Sequence, residues 1–287
     1  MPHFPHLHSH GHGHETDPLL DRVERAIHVQ YEPRSKWAGV RHKFRKAFAE
    51  FLGTAILVTF GSGAIAQLVF STHNSWFTMC LGWGLGLTFG IYVAGGVSGA
   101  HLNPAVTLAQ AIFRGFAWAE VPFYWIAQFA GAFVGALIVY IFNHAAIKEA
   151  DAALTIGIFV TGLQSAKVST TAAFIAEFLG TALLVLVILA TSDKGNTPAG
   201  NTQPLIIGLS LVAIGNSFGY LTGFSLNPAR DLAPRVFTAL FGWGLDAFTR
   251  QSWYFWVPIV APFLGAIGGA FIYDLFVYAS GPSPLNN

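Results

Sequence analysis

The sequence predicts an all-α membrane protein with six transmembrane helices plus two half-helices, arranged as an inverted repeat. The first observation is composition: 53% of the 287 residues are hydrophobic and only 10% are charged, which is too little charge for a soluble surface. The second is a nine-residue run that occurs twice, and the third is an Asn-Pro-Ala triplet that also occurs twice.

Six long apolar segments set the number of spanning helices. Each is near the roughly 20 residues that a helix needs to cross about 30 Å of hydrocarbon. They are Ala47 to Phe70, Phe77 to Ala94, Val121 to Phe142, Ala172 to Ala190, Leu205 to Tyr220 and Trp253 to Tyr278. Pro104 to Phe113 and Pro228 to Leu240 cover only about half of that thickness, at about 1.5 Å per residue. We therefore predict two half-helices there.

The two repeated motifs lie at nearly equal spacing. Residues 50–58 read EFLGTAILV and residues 177–185 read EFLGTALLV, while Asn103-Pro104-Ala105 recurs as Asn227-Pro228-Ala229. Asn is a favoured N-cap and Pro a favoured first helical residue, so both triplets predict helix starts. Three spanning helices separate the copies, and an odd number inverts the second copy. The half-helices should therefore enter from opposite sides and meet near the midplane.

The residues before each half-helix are expected to be irregular. Segments 95–101 and 223–226 are rich in Gly and Ser, and unpaired carbonyls in hydrocarbon cost several kcal/mol each. Irregular backbone at this depth implies a hydrated cavity. If the side-chain oxygens of Asn103 and Asn227 cap their half-helices, their NH₂ groups are left to face that cavity as donors.

These motifs resemble those of the aquaporin superfamily, over nearly all of residues 47–279. Residues 98–106 (SGAHLNPAV) and 223–231 (GFSLNPARD) look like its two pore loops. The resemblance implies the aquaporin fold, a homotetramer with one pore per protomer, and passive conduction without a cofactor. It also implies backbone carbonyls that line the pore at Gly99, Ala100, His101, Phe224, Ser225 and Leu226.

By the same resemblance, four residues form a selectivity filter, and they are Trp83, Gly215, Phe224 and Arg230. Water-selective relatives have His where this chain has Gly215, and a small or polar residue where it has Phe224. Two aromatic walls suit the carbon edge of a polyol, while the guanidinium can bond adjacent hydroxyls. The resemblance is therefore to the aquaglyceroporin branch, and Asp231, Arg235 and Pro258-Ile259 match that branch as well.

Three acidic residues require an explanation at membrane depth. Glu50 and Glu177 occupy equivalent positions of the repeat, so we expect each to support the pore loop of its own half. A proton relay is the alternative. Asp231 lies in the first turn of a half-helix, where it suits the helix dipole and can pair with Arg235 four residues on.

The distribution of basic residues predicts the topology. Eight of the fifteen Lys and Arg residues fall between Arg22 and Lys46, which places the N-terminus in the cytosol, and an even number of spans returns the C-terminus there. The chain then divides into a disordered tail over 1–46, repeats over 47–143 and 172–279, an extracellular loop over 144–171, and a short tail over 280–287. Residues 3–14 of the first tail carry six His residues, and their irregular spacing does not match a tetrahedral metal site. The dileucine-like ETDPLL at 15–20 leaves the choice of membrane open, and we expect the plasma membrane rather than the vacuole.

Three classes of function remain in play: a facilitative channel for glycerol and water, a proton-coupled transporter, and a structural protein with a closed pore. We expect the channel, embedded in lipid, with no enzymatic activity and no nucleic-acid partner. A water-selective, urea or metalloid-acid channel is the nearest alternative. The sequence does not set the relative permeabilities.

Overall fold

The structure is a computed structural model that describes residues 35–286. The chain divides into two units, Met1–Lys43 and Phe44–Asn287. The described part of the first unit contains one short helix, α1 (Lys36–Lys43). The predicted disorder of the tail is wrong for residues 36–43, which form α1, and for residues 45–46, which begin the next helix. The His-rich tract, the dileucine-like motif and the rest of the tail up to position 34 lie outside the described residues, so these expectations stay predictions.

In the described residues of the second unit, the regular secondary structure is entirely helical, and six of its helices are long and apolar enough to cross a membrane. These six are α2 (Arg45–Phe70), α3 (Trp76–Ser98), α5 (Val121–Glu149), α7 (Thr170–Ser192), α8 (Gln203–Phe218) and α11 (Val257–Phe276). The half-helices are α4 (Pro104–Phe113) and α9 (Pro228–Leu240), and two short helices are α6 (Ala152–Thr155) and α10 (Asp246–Trp253). The predicted fold class is confirmed, and both half-helices have the predicted bounds.

Two predicted boundaries were wrong. Helix α3 continues to Ser98, so residues 95–98 are helical, and the helix ends only where Gly99 adopts a left-handed conformation with φ of 84°, as is common at helix C-termini. Helix α5 continues seven residues past Phe142, to Glu149, because Ala145, Ala146 and Lys148 are good helix formers. The connection between α5 and α7 is therefore shorter than predicted.

Glycines bring equivalent pairs of helices close together. A Cβ added at Gly131 in α5 would overlap the carbonyl oxygen of Phe51 in α2, and one at Gly265 in α11 would overlap that of Phe178 in α7. Phe51 and Phe178 hold the same position in the repeated run. The contact α2–α5 is thus the counterpart of α7–α11, and both depend on backbone approaching backbone without an intervening side chain.

Substituting Ala for Gly131 should lower the thermal midpoint of the detergent-solubilised protein. The added Cβ must push α2 and α5 apart, and overpacking of this kind costs about 1–3 kcal/mol. The midpoint is the temperature at which half of the protein remains monodisperse after heating. Gly63→Ala in α2 is the matched control, because nothing lies within 4 Å of a Cβ added there. Equal midpoints for the two variants would contradict the close approach.

Candidate functional site

The segments that precede the two half-helices have the same unusual backbone. Three residues in each have positive φ, and the equivalent pairs are Gly99 with Gly223, Ala100 with Phe224, and Leu102 with Leu226. The left-handed region costs a residue other than Gly on the order of 1–3 kcal/mol, so such a conformation persists only where its surroundings impose it. Each loop therefore needs an anchor.

Glu50 is the anchor of the first loop, and it is fully buried in α2. Its Oε1 accepts hydrogen bonds from Ser98 Oγ at 2.6 Å and from the backbone N–H of His101 at 2.9 Å. Its Oε2 accepts from the N–H of Leu102 at 2.7 Å and from Gln128 Nε2 at 2.8 Å. Both carboxylate oxygens are thus used to hold a backbone that has no helical partners.

Glu177 does the same for the second loop from the equivalent position in α7. It is also fully buried, and it accepts hydrogen bonds from the N–H groups of Ser225 at 2.9 Å and Leu226 at 2.8 Å. Ser225 and Leu226 are the counterparts of His101 and Leu102. The acids predicted to support the loops therefore lie at hydrogen-bonding distance from them.

The two Asn side chains cap the half-helices as expected. Asn103 Oδ1 accepts a hydrogen bond from Ala105 N at 2.9 Å. Asn227 Oδ1 accepts from Ala229 N at 3.0 Å and from Arg230 N at 3.2 Å. Each half-helix thus begins at its Asn, with Pro as the first helical residue.

The amide nitrogens of the same Asn residues cross between the repeats, which the sequence did not predict. Asn103 Nδ2 donates to the carbonyl of Leu226 at 2.8 Å, and Asn227 Nδ2 donates to that of Leu102 at 2.8 Å. One of the two hydrogens on each NH₂ group is therefore committed to the opposite loop. Only the second hydrogen of each remains to face the cavity.

Three cavities lie in series along this arrangement. The central cavity, of about 120 Å³, contacts both Asn side chains and also Trp83, Ala100 and Arg230. It shares Arg230 with a cavity of about 320 Å³, the Arg230-side cavity. It shares Gln110 and Ser192 with a cavity of about 260 Å³ at the other end, the Gln110-side cavity. The three together trace a route along the bundle, with one junction of shared lining residues at each end of the central cavity.

The Arg230 junction combines a cation, an aromatic face and unpaired donors. The Arg230 guanidinium lies over the Trp83 ring, 4.0 Å from its centroid, and the two residues are 3% and 2% exposed. Within the described part of the chain, Arg230 Nη1 and Trp83 Nε1 have no hydrogen-bond partner. Buried donors that lack a partner are costly, and both residues line the central cavity.

Phe224 and Gly215 meet beside this junction. A Cβ added at Gly215 would lie 3.0 Å from the Phe224 ring and 2.9 Å from Cys80 Sγ. A Cβ added at Gly219, one turn later, would lie 2.5 Å from the same ring. The ring therefore occupies the space left by two glycines, and Trp76 packs edge-on against it at 6.0 Å. Neither Gly215 nor Phe224 lines the central or the Arg230-side cavity.

The Asp231–Arg235 ion pair forms as expected and also binds the long connection before α7. Asp231 Oδ2 accepts a hydrogen bond from Thr161 N at 2.9 Å, and Arg235 Nη2 donates to the Thr161 carbonyl at 2.6 Å. Arg235 also donates to the carbonyl of Ala247. These buried groups fix the loop that forms one wall of the Arg230-side cavity.

Of the predicted carbonyl residues, Gly99, Ala100, His101 and Leu226 line the central cavity, whereas Phe224 and Ser225 do not. The His101 ring packs 4.7 Å from Phe116 and 5.1 Å from Tyr124, with Nδ1 3.2 Å from Thr107 Oγ1.

The sequence profile described as Major intrinsic protein matches residues 37–273. The chain belongs to the major intrinsic protein family. With its six membrane-capable helices, this major intrinsic protein is an integral, multi-pass membrane protein.

Individual relatives agree with that assignment. Aquaglyceroporin-2 of Rhizophagus irregularis is 48% identical over 263 residues, covering 88% of this chain and 83% of the relative. Aquaglyceroporin-9 of Botryotinia fuckeliana is 38% identical, covering 95% of this chain and 62% of the relative. The solved structure of the aquaglyceroporin from Plasmodium falciparum superposes with a TM-score of 0.77 at 37% identity, covering 82% of this chain and 97% of that one.

Two site residues of this major intrinsic protein were not predicted from the sequence. Gln128 in α5 donates to both Glu50 and Thr107, and Trp76 Nε1 donates to the Gly215 carbonyl at 3.0 Å. An amide in the middle of an apolar spanning segment was the available signal for Gln128. No such signal marks Trp76, because its role depends on contact with a helix 139 residues away.

Replacing Glu50 by Gln should reduce both the folded yield and the permeability. The Gln NH₂ group would face a donor where the carboxylate accepted one, which leaves a backbone N–H of the strained loop unpaired, at a cost of about 1–3 kcal/mol. Folded yield is measured as the mass of monodisperse protein recovered from a fixed mass of membranes. Glu120→Gln is the control, since Glu120 forms an exposed pair with Lys46 that should contribute at most about 1 kcal/mol. Indistinguishable behaviour of the two variants would show that Glu50 does not hold the loop.

Proposed function

We propose that this chain is a passive transmembrane channel for glycerol, related small uncharged polyols and water, and that it excludes ions and protons. The observation that carries the proposal is the Arg230 junction, where nitrogen donors without partners lie beside an aromatic face. A polyol carries hydroxyl groups along one edge and carbon–hydrogen groups along the other, so this junction suits both edges. The names of the aquaglyceroporin relatives support the same substrates.

In this proposal, Trp83, Gly215, Phe224 and Arg230 form the selectivity filter. Arg230 supplies a planar set of donors that can bond two adjacent hydroxyls. Gly215 acts through its missing side chain, because the Phe224 ring fills the space beside it. A polar side chain at position 215 would displace that ring and replace an apolar wall with a hydrogen-bonding group.

Ion exclusion is assigned to the same junction and to the two half-helices. The helix N-termini at Asn103 and Asn227 carry partial positive charge, and Arg230 adds a full one, a combination described for aquaporin-type pores in general. The carbonyls of Gly99, Ala100 and His101, which line the central cavity, are proposed to serve as acceptors along the pore. Phe224 and Ser225 do not line it and are left out of this set. The Leu226 carbonyl already accepts a hydrogen bond from Asn103, which leaves it one lone pair for a permeant.

We further propose a homotetramer with one pore per protomer, surrounded by lipid, with both termini in the cytosol and the plasma membrane as its location. The Lys and Arg residues just before α2 favour this orientation. It makes the Gln110 end of the route cytosolic and the Arg230 end extracellular. We propose neither an enzymatic activity nor a nucleic-acid partner.

The proton-coupled alternative would use Glu50 and Glu177 as relay groups. Both oxygens of each carboxylate already accept hydrogen bonds from the backbone of the pore loops. A carboxylate held in this way favours a positioning role, because protonation would remove an acceptor from a strained loop. Passive conduction is therefore preferred over coupling.

Reconstitution into proteoliposomes tests the function directly. Light scattering in a stopped-flow instrument gives glycerol and water permeabilities, measured with and without a pH gradient and compared with protein-free liposomes. We expect glycerol flux proportional to its gradient and insensitive to the pH gradient. Saturable uptake that collapses with the pH gradient would establish a transporter, and flux equal to that of empty liposomes would establish a closed structural protein.

The double substitution Gly215→His with Phe224→Thr should convert the pore toward water selectivity. The imidazole narrows and polarises the junction, and Thr removes the apolar wall, so glycerol permeability should fall by at least about tenfold, which corresponds to about 1.4 kcal/mol. Water, which needs only donors and acceptors, should still pass. Phe224→Thr alone is the comparison: it removes the apolar wall without adding the imidazole, so its glycerol permeability should fall less than that of the double variant. A well-folded double variant with an unchanged glycerol-to-water ratio would exclude this filter.

A further inference from the structure

Three helices that line the central cavity end their apolar stripes in the same way. Each presents aliphatic residues at helical spacing and then one polar residue. The series are Val106 then Gln110 in α4, Leu184 and Ile188 then Ser192 in α7, and Leu211 and Ile207 then Gln203 in α8. Spacings of three or four residues keep each series on one face of its helix. All three polar residues therefore reach the cavity wall.

These three residues lie at the junction opposite to Arg230. Gln110 and Ser192 line both the central cavity and the Gln110-side cavity, and Gln203 is hydrogen-bonded to Ser192 at 2.6 Å. A solute that moves from one cavity to the other must pass them. The walls just before them are aliphatic, so the polar atoms are concentrated at a single level of the route.

The hydrogen bonds among these groups leave particular atoms available. Gln203 Nε2 donates to Ser192 Oγ and, at 3.3 Å, to Thr191 Oγ1, which commits both of its hydrogens. Ser192 Oγ donates to the Ile188 carbonyl at 2.7 Å. Gln203 Oε1 is therefore left as an acceptor, and Ser192 Oγ retains one lone pair.

Gln110 supplies what the other two lack. Its side chain forms no hydrogen bond with any residue between positions 35 and 286, so two N–H donors and one carbonyl acceptor are available to a solute. The junction thus offers donors from one side and acceptors from the other. A hydroxyl group, which both donates and accepts, matches this set better than a group that can only donate or only accept.

The charge at this junction also differs from that at Arg230. The position of the first repeat that corresponds to Arg230 is occupied by Val106, three residues after Asn103 as Arg230 is three residues after Asn227. Three charged residues line the Gln110-side cavity. Arg114 is paired with Asp274 at 2.6 Å and stacked on Tyr278 at 3.9 Å, Asp193 accepts a hydrogen bond from Tyr273, and Lys194 also lines the cavity. Gln110, Ser192 and Gln203 themselves carry no charge.

We propose that Gln110, Ser192 and Gln203 form a second solute-binding station, selective for neutral polyols, at the Gln110 end of the central cavity. This inference rests on the proposed function. At this station the hydroxyls of a polyol replace hydrogen bonds to water with hydrogen bonds to the two Gln amides and the Ser192 hydroxyl. Ile188 and Ile207 contact its carbon edge. Selection among neutral solutes is thereby shared between a charged junction and an uncharged one.

Gln110→Leu tests the station, because it removes the unpartnered amide and keeps a similar volume. Glycerol permeability in proteoliposomes should fall about five- to tenfold, the effect expected from losing one or two neutral hydrogen bonds. Water permeability should change less than about twofold, because water needs fewer simultaneous partners than a triol. Gln203→Leu should act in the same direction, and it provides the test if Gln110→Leu does not fold.

Gln67→Leu is the matched control, since Gln67 is exposed on α2 and lines none of the three cavities. An unchanged glycerol-to-water permeability ratio in Gln110→Leu would overturn the station. If that ratio is unchanged because both permeabilities fall equally, the Leu side chain simply obstructs the route. The proposed function fails separately, if the unmodified protein conducts no glycerol. If Gln110→Leu leaves the glycerol-to-water ratio unchanged while the double variant at Gly215 and Phe224 still alters it, the station is excluded and the proposed function stands.

Discussion

Inside a bilayer, a backbone N–H or C=O group without a partner costs several kcal/mol, and the pore loops of this protein contain such groups by necessity. Glu50 and Glu177 meet the constraint by accepting the N–H groups that a continuous helix would have satisfied. The left-handed residues next to those groups are retained because the carboxylates hold them. The cavity, the caps and the junction at Arg230 all depend on this arrangement.

The duplicated run explains why such an anchor occurs twice. The acid is the first residue of the run, and the glycine three positions later packs against the leucine of the loop that the acid holds: Gly53 against Leu102, and Gly180 against Leu226. Within one turn of helix, the run therefore supplies an acid that holds the loop backbone and a glycine that leaves room for the loop leucine. Each half of the molecule carries both.

Sequence reasoning predicted the spanning helices, both half-helices and their Asn caps, because hydropathy and capping are local properties of the chain. It placed the end of α3 too early, since Gly95 and Gly96 resemble helix breakers although the helix continues through them to Ser98. The pairing of Asn Nδ2 with the opposite loop and the lodging of Phe224 against α8 were out of reach. Both depend on which segments meet in three dimensions, and no spacing along the chain records that.

The contact between Phe224 and α8 makes the junction at Arg230 a property of backbone as much as of side chains. The ring is held against Gly215 of α8, Gly219 in the turn just after that helix, and the indole of Trp76, whose nitrogen donates to the Gly215 carbonyl. A shift of α8 would therefore move the Phe224 ring directly. The ion pair of Asp231 with Arg235 and their contacts with Thr161 hold a loop that lines the Arg230-side cavity.

The exchanged bonds between Asn103 and Leu226, and between Asn227 and Leu102, make each half of the chain incomplete without the other. A half-length polypeptide would insert with one carbonyl and one amide exposed at the centre of the membrane. A second copy, inserted the opposite way, offers the matching groups. The geometry is therefore that of an antiparallel dimer joined into one chain, and fusion of the two halves guarantees the equal and opposite insertion that a separate pair would have to achieve by chance.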